Sequence, residues 1–498
     1  EMPKSRNADY QMPKVGVSDI ETAMYWDMAY YYSELTPSLP EEIEITQEQI
    51  NAFNNIEIKY EKWIFGENID LTKEPLSIRN SALQQFITEG LQAYEKLNIV
   101  KHADGRITGE PLFSSRDPHL MKFGVDVSRA VLLPLVYDYK INGNDSSKEK
   151  FFDTLDYMND QGWAYGSGLG TMDHETNKHN GYFHAIYLMK DELAATNRLE
   201  RERETIFWQT IFGKTFEENI DQEEVTSDEL RTKFMYNLLY VLIMEDTPEK
   251  VRYMKGLVNY YNIALTIAPG YSDTIKSDYS LYHHRGTYLS AYGVNGIHMA
   301  SLIAYLLSDT TFALSEISTD NIKNSLLHAR IYANQYNVPA GASGRLPDIT
   351  GVVSKLVPAY AYMALAANPI DEEMATAFMK LWKPDSTYLK DGLFPLANTY
   401  SVHYLNTMGG LQLAVELSER GYQAESTPQG TWVYPYSSLA INRQGEAMVA
   451  VKGYSQYVWD YESSNKFDPQ TLTQLKENVY GKYQSYGSIQ INGSGNPI

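Results

Sequence analysis

The 498-residue chain contains no cysteine. That absence removes disulfides, thiolate nucleophiles and cysteine-ligated zinc together, and it leaves the redox compartment open. Nor is there an apolar run of the roughly 18–20 residues that a membrane span needs. The opening stretch EMPKSRNADY lacks the apolar core of a secretory leader, although a trimmed, exported chain would read the same way. Positive charge is in short supply: 42 Lys and Arg against 63 Asp and Glu give a formal net charge of −21. Nucleic acid and anionic membranes demand a broad basic surface, so neither is expected as a partner. A polyanionic ligand would require basic residues gathered in a local cleft within an acidic envelope.

Apolar residues make up 43% of the chain, enough for a sizeable core and more than one domain. Tyrosine is abundant, at 40 residues, about two to three times its ordinary share. Phenol rings suit sugar faces and helix packing alike, and packing accounts for most of them. Windows such as SALQQFITEGLQAYEKL (81–97), ELRTKFMYNLLYVLIMED (229–246) and IHMASLIAYLLSD (297–309) space apolar residues by three and four, which predicts amphipathic helices. Gly-, Pro- and Asn-rich breaks such as NVPAGASGRLPD separate them. After ESTPQG (425–430) the texture turns to short alternating segments, and RQGE reads as a hairpin connection. The fold class is therefore mainly α: antiparallel helix pairs over 1–425, followed by a β region over 430–498. Some 70 residues are few for an independent sandwich, so the remainder of that β region is expected beyond this sequence.

Two familiar signatures fail. In HETNKH, His174 and His179 lie five apart and diverge by about 140° on a helix, whereas a zinc-protease helix needs a spacing of four. YGSGLG (165–170) lacks both the preceding strand and the following Lys-Ser or Lys-Thr of a phosphate loop. What remains is SDYSLYHHRGTYLSAYG (277–293), an arginine in GASGRLPD (Arg345) and an acid in VWDYES (Glu462). Tyr, His, Arg and Glu without metal-ligand spacing suggest proton transfer. β-Elimination at a uronic acid needs such a set: removal of the C5 proton, neutralisation of the adjacent carboxylate, and protonation of the leaving O4. A tyrosine can serve as base and then as acid when a cation lowers its pKa.

Several segments carry a more specific signal in order: DQGWAYGSGLGTMDHETNKHNGYFHAIYLMKDEL, KSDYSLYHHRGTYLSAYG, VPAGASGRLP, TPQGTWVYPYSSLAINRQGEAMVAVKGYSQYVWDYESSNK and YGKYQSYG. From about residue 160 onward they resemble polysaccharide lyase family 8, in particular the chondroitinase ABC group. The resemblance implies an incomplete (α/α) toroid followed by the start of an antiparallel β supersandwich, acting on glycosaminoglycan. It implies chondroitin or dermatan sulfate as substrate and a secreted or periplasmic location. The chemistry would require no cofactor, while bound calcium or magnesium stays compatible with it.

By motif, the catalytic residues fall on His284, Tyr292, Arg345 and Glu462. An alternative register, read back from AYG, selects His283, and Tyr288 competes for the phenol role. If this stretch is helical, consecutive residues diverge by about 100°, so only one of the two histidines should face a given cleft. His179 in HNGY matches a second family histidine associated with iduronate. Trp163, Asn180 and Arg285 are placed as substrate-binding residues, Trp163 with core packing as its rival role. His184, His298, His328 and His403 read as structural. Two alternatives stay open. One is a glycoside hydrolase on a similar toroid, for which MDHE supplies Asp173 and Glu175. The other is a non-catalytic glycan binder.

Overall fold

The computed structural model describes residues 26–112, 123–167, 179–344, 349–396, 405–453, 458 and 488–492. Arg345, Glu462, His403, Asp173, His174 and Glu175 lie outside them. The chain divides into two compact units, each assembled from separate stretches: Glu1–Ile45 with Leu83–Ile220 and Met235–Leu257, and Thr46–Ala82 with Asp221–Phe234 and Val258–Ile498.

The first unit is built from helix pairs whose ends are written in the sequence. Helix Leu133–Asn142 starts with a proline in its first turn and stops at Gly143, which takes the left-handed conformation at φ 69°. Asn144 then caps helix Asp145–Asp160 by accepting from the Ser146 amide at 3.1 Å. Helix Asn180–Leu188 packs on the π-helical stretch Phe123–Leu132. A Cβ at Gly181 would come within 2.2 Å of the Ser128 carbonyl oxygen, so only glycine permits that approach. A short hairpin, β1 (Val100–Lys101) with β2 (Ile107–Thr108), interrupts the helices.

In the second unit, helix Gln47–Phe65 opens with a capping box between Thr46 and Gln49 and buries Phe53, Ile56, Tyr60 and Trp63 along one face. Every residue of helix Val294–Leu307 is buried, the polar Asn295, His298 and Ser301 included, as befits a central helix whose sequence is largely apolar. A three-stranded sheet follows the order β3 (Thr274–Ile275), β4 (Leu281–His283), β5 (Gly286–Thr287). The β region begins at Gly430 and forms a second antiparallel sheet in the order β6 (Gly430–Tyr434), β7 (Leu439–Gln444), β8 (Ala447–Lys452), β9 (Ser488–Asn492). It belongs to the same compact unit as these helices. Within the mainly helical stretch up to 425 lie the short strands β1–β5, too short to show a two-residue period.

Many tyrosines are core residues with tethered hydroxyls. Tyr336 donates to Leu381 O at 2.5 Å, Tyr261 to Phe234 O at 2.5 Å, and the Tyr362 hydroxyl accepts from Trp63 Nε1 at 3.0 Å. Burial pushes the phenols of Tyr261, Tyr332, Tyr360 and Tyr362 above their ordinary range.

Candidate active site

The paired histidines sit on a hairpin, which corrects the helical reading of their stretch. Strands β4 and β5 pair Tyr282 with Thr287 and His283 with Gly286, leaving His284 and Arg285 as the two turn residues. Both have positive φ, 50° and 62°. Such a two-residue turn favours Asn-Gly, and side chains with a Cβ are strained there. Strain of this kind gathers at functional sites. Because the chain reverses here, the two imidazoles do not diverge as on a helix, and their centroids are 4.0 Å apart.

After β5, Tyr288 leads into a π-helical turn, Leu289–Gly293, that feeds helix Val294–Leu307. Single π-turns of this sort mark functional sites. The turn closes over β4 because residue 293 is glycine: a Cβ there would lie 2.8 Å from the Tyr288 carbonyl oxygen and 2.9 Å from Leu281 Cβ. It carries Tyr292 onto His283, ring centroids 3.8 Å apart and planes inclined by 29°. His284 stands edge-on to Tyr292 at 5.9 Å, and Tyr288 lies 4.8 Å from it. The imidazole nearest the Tyr292 ring is thus that of His283.

Two residues not singled out from the sequence complete the cluster. Asp273 Oδ2 lies 2.5 Å from His283 Nδ1. A carboxylate can only accept, so this contact places the proton on Nδ1 and orients the ring. Arg231, from a second π-helical turn (Glu229–Lys233), sets its guanidinium 4.5 Å from the Tyr292 ring centroid. Arg231 is buried and ion-paired with Asp228. A fixed cation beside a phenol favours the phenolate.

The loop that leads to Arg345 touches the same cluster. Ser290 Oγ donates to the Ser343 carbonyl, and Gly344, at φ 70°, packs so tightly on Tyr288 that a Cβ would fall 1.9 Å from its Cδ2. Lys276 buttresses the hairpin from below, donating to the Ala268, Pro269 and Gly270 carbonyls at 3.3, 3.2 and 3.0 Å. Its burial lowers the ammonium pKa to about 8. Arg285 is exposed, 5.6 Å from the Tyr271 ring.

In the other unit, His179 is the residue that immediately precedes helix Asn180–Leu188, with its ring centroid 4.5 Å from that of Trp163. Trp163 also meets Tyr182 edge-on, and the Tyr182 hydroxyl donates to Glu202 at 2.6 Å. Trp163 is 1% exposed, which corrects the sugar-platform expectation: its indole packs in the core and offers no open face. His179 and Asn180 are buried beside it. His184 and His298 are interior residues whose burial lowers their pKa to about 3 and about 4. His298 Nδ1 meets the Lys355 carbonyl at 3.0 Å, and His328 Nδ1 the Tyr434 hydroxyl at 3.1 Å. Among the described residues no group of three His, Asp or Glu could hold a metal ion.

Residues 40–388, which include Arg231, Asp273 and the whole His/Tyr cluster, match the family described as "Lyase, catalytic". The chain belongs to this lyase family. It is 29% identical to a chondroitin sulfate ABC exolyase of Bacteroides thetaiotaomicron over 98% of its own length and 47% of that protein. It is 24% identical to a chondroitin sulfate ABC endolyase of Proteus vulgaris, over 94% and 43% respectively. The chain thus spans about half the length of these relatives. The lyase fold is also that of a Streptomyces coelicolor chondroitin AC lyase solved with chondroitin sulphate, at TM-score 0.67 and 13% identity, covering 90% of this chain and 58% of that one.

Proposed function

We propose that this chain forms the catalytic centre of a chondroitin and dermatan sulfate lyase acting by β-elimination at the uronic acid, leaving 4,5-unsaturated ends. One observation carries this reading: the Tyr292 ring contacts both a guanidinium and an imidazole that is itself held by a carboxylate. In water a phenol with a pKa near 10 is a poor base at neutral pH. With Arg231 the cation beside its ring, Tyr292 is assigned to take the C5 proton and return it to the leaving O4.

His284, at the strained tip of the turn, faces the uronate. His283, stacked on Tyr292 and held by Asp273, positions the phenol. Arg345 and Glu462 act on the carboxylate and leaving-group side, Arg345 following directly on the glycine that packs against Tyr288. His179 extends the range to iduronate, which requires its ring to become accessible. The elimination needs no cofactor, and calcium or magnesium would serve structure. A secreted or periplasmic location follows from an extracellular polysaccharide substrate. Among the described residues no helix is long and apolar enough to cross a membrane.

Incubating the protein with chondroitin sulfate and dermatan sulfate tests the reading. A lyase generates absorbance near about 232 nm from the conjugated uronate. Reducing ends without that absorbance would indicate a hydrolase, and retention of intact polymer a binder; either result rejects the proposal.

A further inference from the structure

The second unit contains a cavity of about 450 Å³ lined by the C-terminal end of helix Glu316–Tyr332, the end of helix Glu372–Leu381 and the entry to the β6–β9 sheet. None of its lining residues belongs to the His/Tyr cluster. Four cationic side chains face it, Arg330, Lys380, Lys383 and Arg443, against two acids, Glu425 and Glu446. In a chain of net charge −21 this is a local reversal of sign.

The charges are not equally engaged. Arg330 is held by Glu425, with Nε–Oε1 at 2.5 Å and Nη2–Oε2 at 3.0 Å. Arg443, 6% exposed, donates Nε to the Ile331 carbonyl at 2.8 Å and Nη2 to that of Ala333, closing the C-terminal end of the helix. Glu446 is exposed at the rim. Lys380 donates to the Thr427 hydroxyl at 2.7 Å, and Lys383 is exposed; among the described residues neither is paired with a carboxylate. Asn334, 4% exposed, lines the same cavity, and its Nδ2 finds no acceptor among the described residues. A buried amide donor left without an acceptor is costly, and a ligand acceptor would remove that cost.

We infer that this cavity is a second saccharide site, in which the oxyanion of an acidic sugar unit accepts from Asn334 Nδ2 and is neutralised by Lys380 and Lys383. The volume suits one or two sugar rings rather than a bare ion. Charge-assisted hydrogen bonds to sulfate or carboxylate oxygens supply the affinity. The inference rests on the glycosaminoglycan reading for its ligand class, and it deepens that reading by adding a place for the chain or its product away from the His/Tyr cluster. Further along the same stretch, Gly344 packs on Tyr288, so the segment that carries Asn334 also reaches the proposed catalytic cluster.

Calorimetric titration of the protein with sulfated unsaturated chondroitin disaccharide, compared with inorganic sulfate, tests it. We expect one saccharide equivalent to be lost, or its Kd weakened at least about tenfold, in Lys380→Ala/Lys383→Ala and in Asn334→Ala, with Lys380→Arg/Lys383→Arg retaining it. Lys383→Glu alone, at an exposed side chain, guards against misfolding and should weaken binding in the same direction. Cleavage of unsulfated chondroitin is unchanged in these variants. Unaltered binding in all of them overturns the inference, as does inorganic sulfate binding as tightly as the disaccharide. Should the protein produce no unsaturated uronate yet bind the disaccharide through these residues, the catalytic reading fails while the site stands.

Discussion

His283 and Tyr292 lie ring against ring, 3.8 Å between centroids, although nine positions of sequence and a change from strand to π-turn separate them. The stack fixes the phenol ring, and the Arg231 guanidinium lies 4.5 Å from the same ring's centroid. Neither contact uses the Tyr292 hydroxyl, which leaves the ring's position and the hydroxyl's chemistry separable by mutation.

Tyr292→Phe keeps both ring contacts and removes the proton carrier. We expect unsaturated-uronate formation to fall by about 10²–10⁴ with an unchanged melting temperature. A variant retaining more than a tenth of the activity would reject Tyr292 as the base.

Asp273→Asn leaves the size of the side chain intact but lets residue 273 donate as well as accept, so the His283 tautomer is no longer fixed. Turnover should drop by about tenfold to a hundredfold and the pH–rate profile should move, with KM little changed. Asp273→Glu should restore part of the loss. An unaltered profile in Asp273→Asn would mean that the pair is merely structural.

The turn at His284 and Arg285 sets stability against function. Arg285→Gly relieves a left-handed residue and should stabilise the fold by about 0.5–1 kcal/mol. If Arg285 contacts the substrate, KM rises in the same variant. Thermal melts and steady-state kinetics on one preparation read both effects, and a lowered melting temperature would contradict the strain argument.

Acid should unfold the protein partly through two interior histidines. His298 and His184 have folded pKa values of about 4 and about 3, below the usual value near 6.5. In that interval the unfolded chain binds more protons, so the stability present above about pH 6.5 is lost as pH falls toward 4 and then 3. Denaturant melts from pH 7 to pH 5, above most carboxylate titrations, should show a declining midpoint. His298→Gln should flatten that decline, and an unchanged slope would exclude His298 as a contributor.

The long helices were legible because a period near 3.6 survives over many residues: in the window 81–97, Leu83 and Ile87 mark a buried face in letters alone. The onset of the second sheet at Gly430 was equally plain from alternation. Strands of two or three residues carry no period, which is why the hairpin bearing His283 and His284 read as helix. Asp273 and Arg231 escaped notice because their relation to His283 and Tyr292 exists only once β4 is paired and two π-turns are packed together. Trp163 shows the opposite limit, since a tryptophan near a glycine-rich segment looks the same whether its indole is open or enclosed.

The buried tyrosines of the core make the protein its own optical reporter at high pH. Phenols such as Tyr261, Tyr332, Tyr360 and Tyr362 resist ionisation in place, whereas the unfolded chain releases their protons near pH 10. Fold stability therefore erodes as alkalinity rises past that point. Phenolate absorbance from these interior rings should arrive as one cooperative step with loss of structure, instead of the gradual curve that surface tyrosines trace.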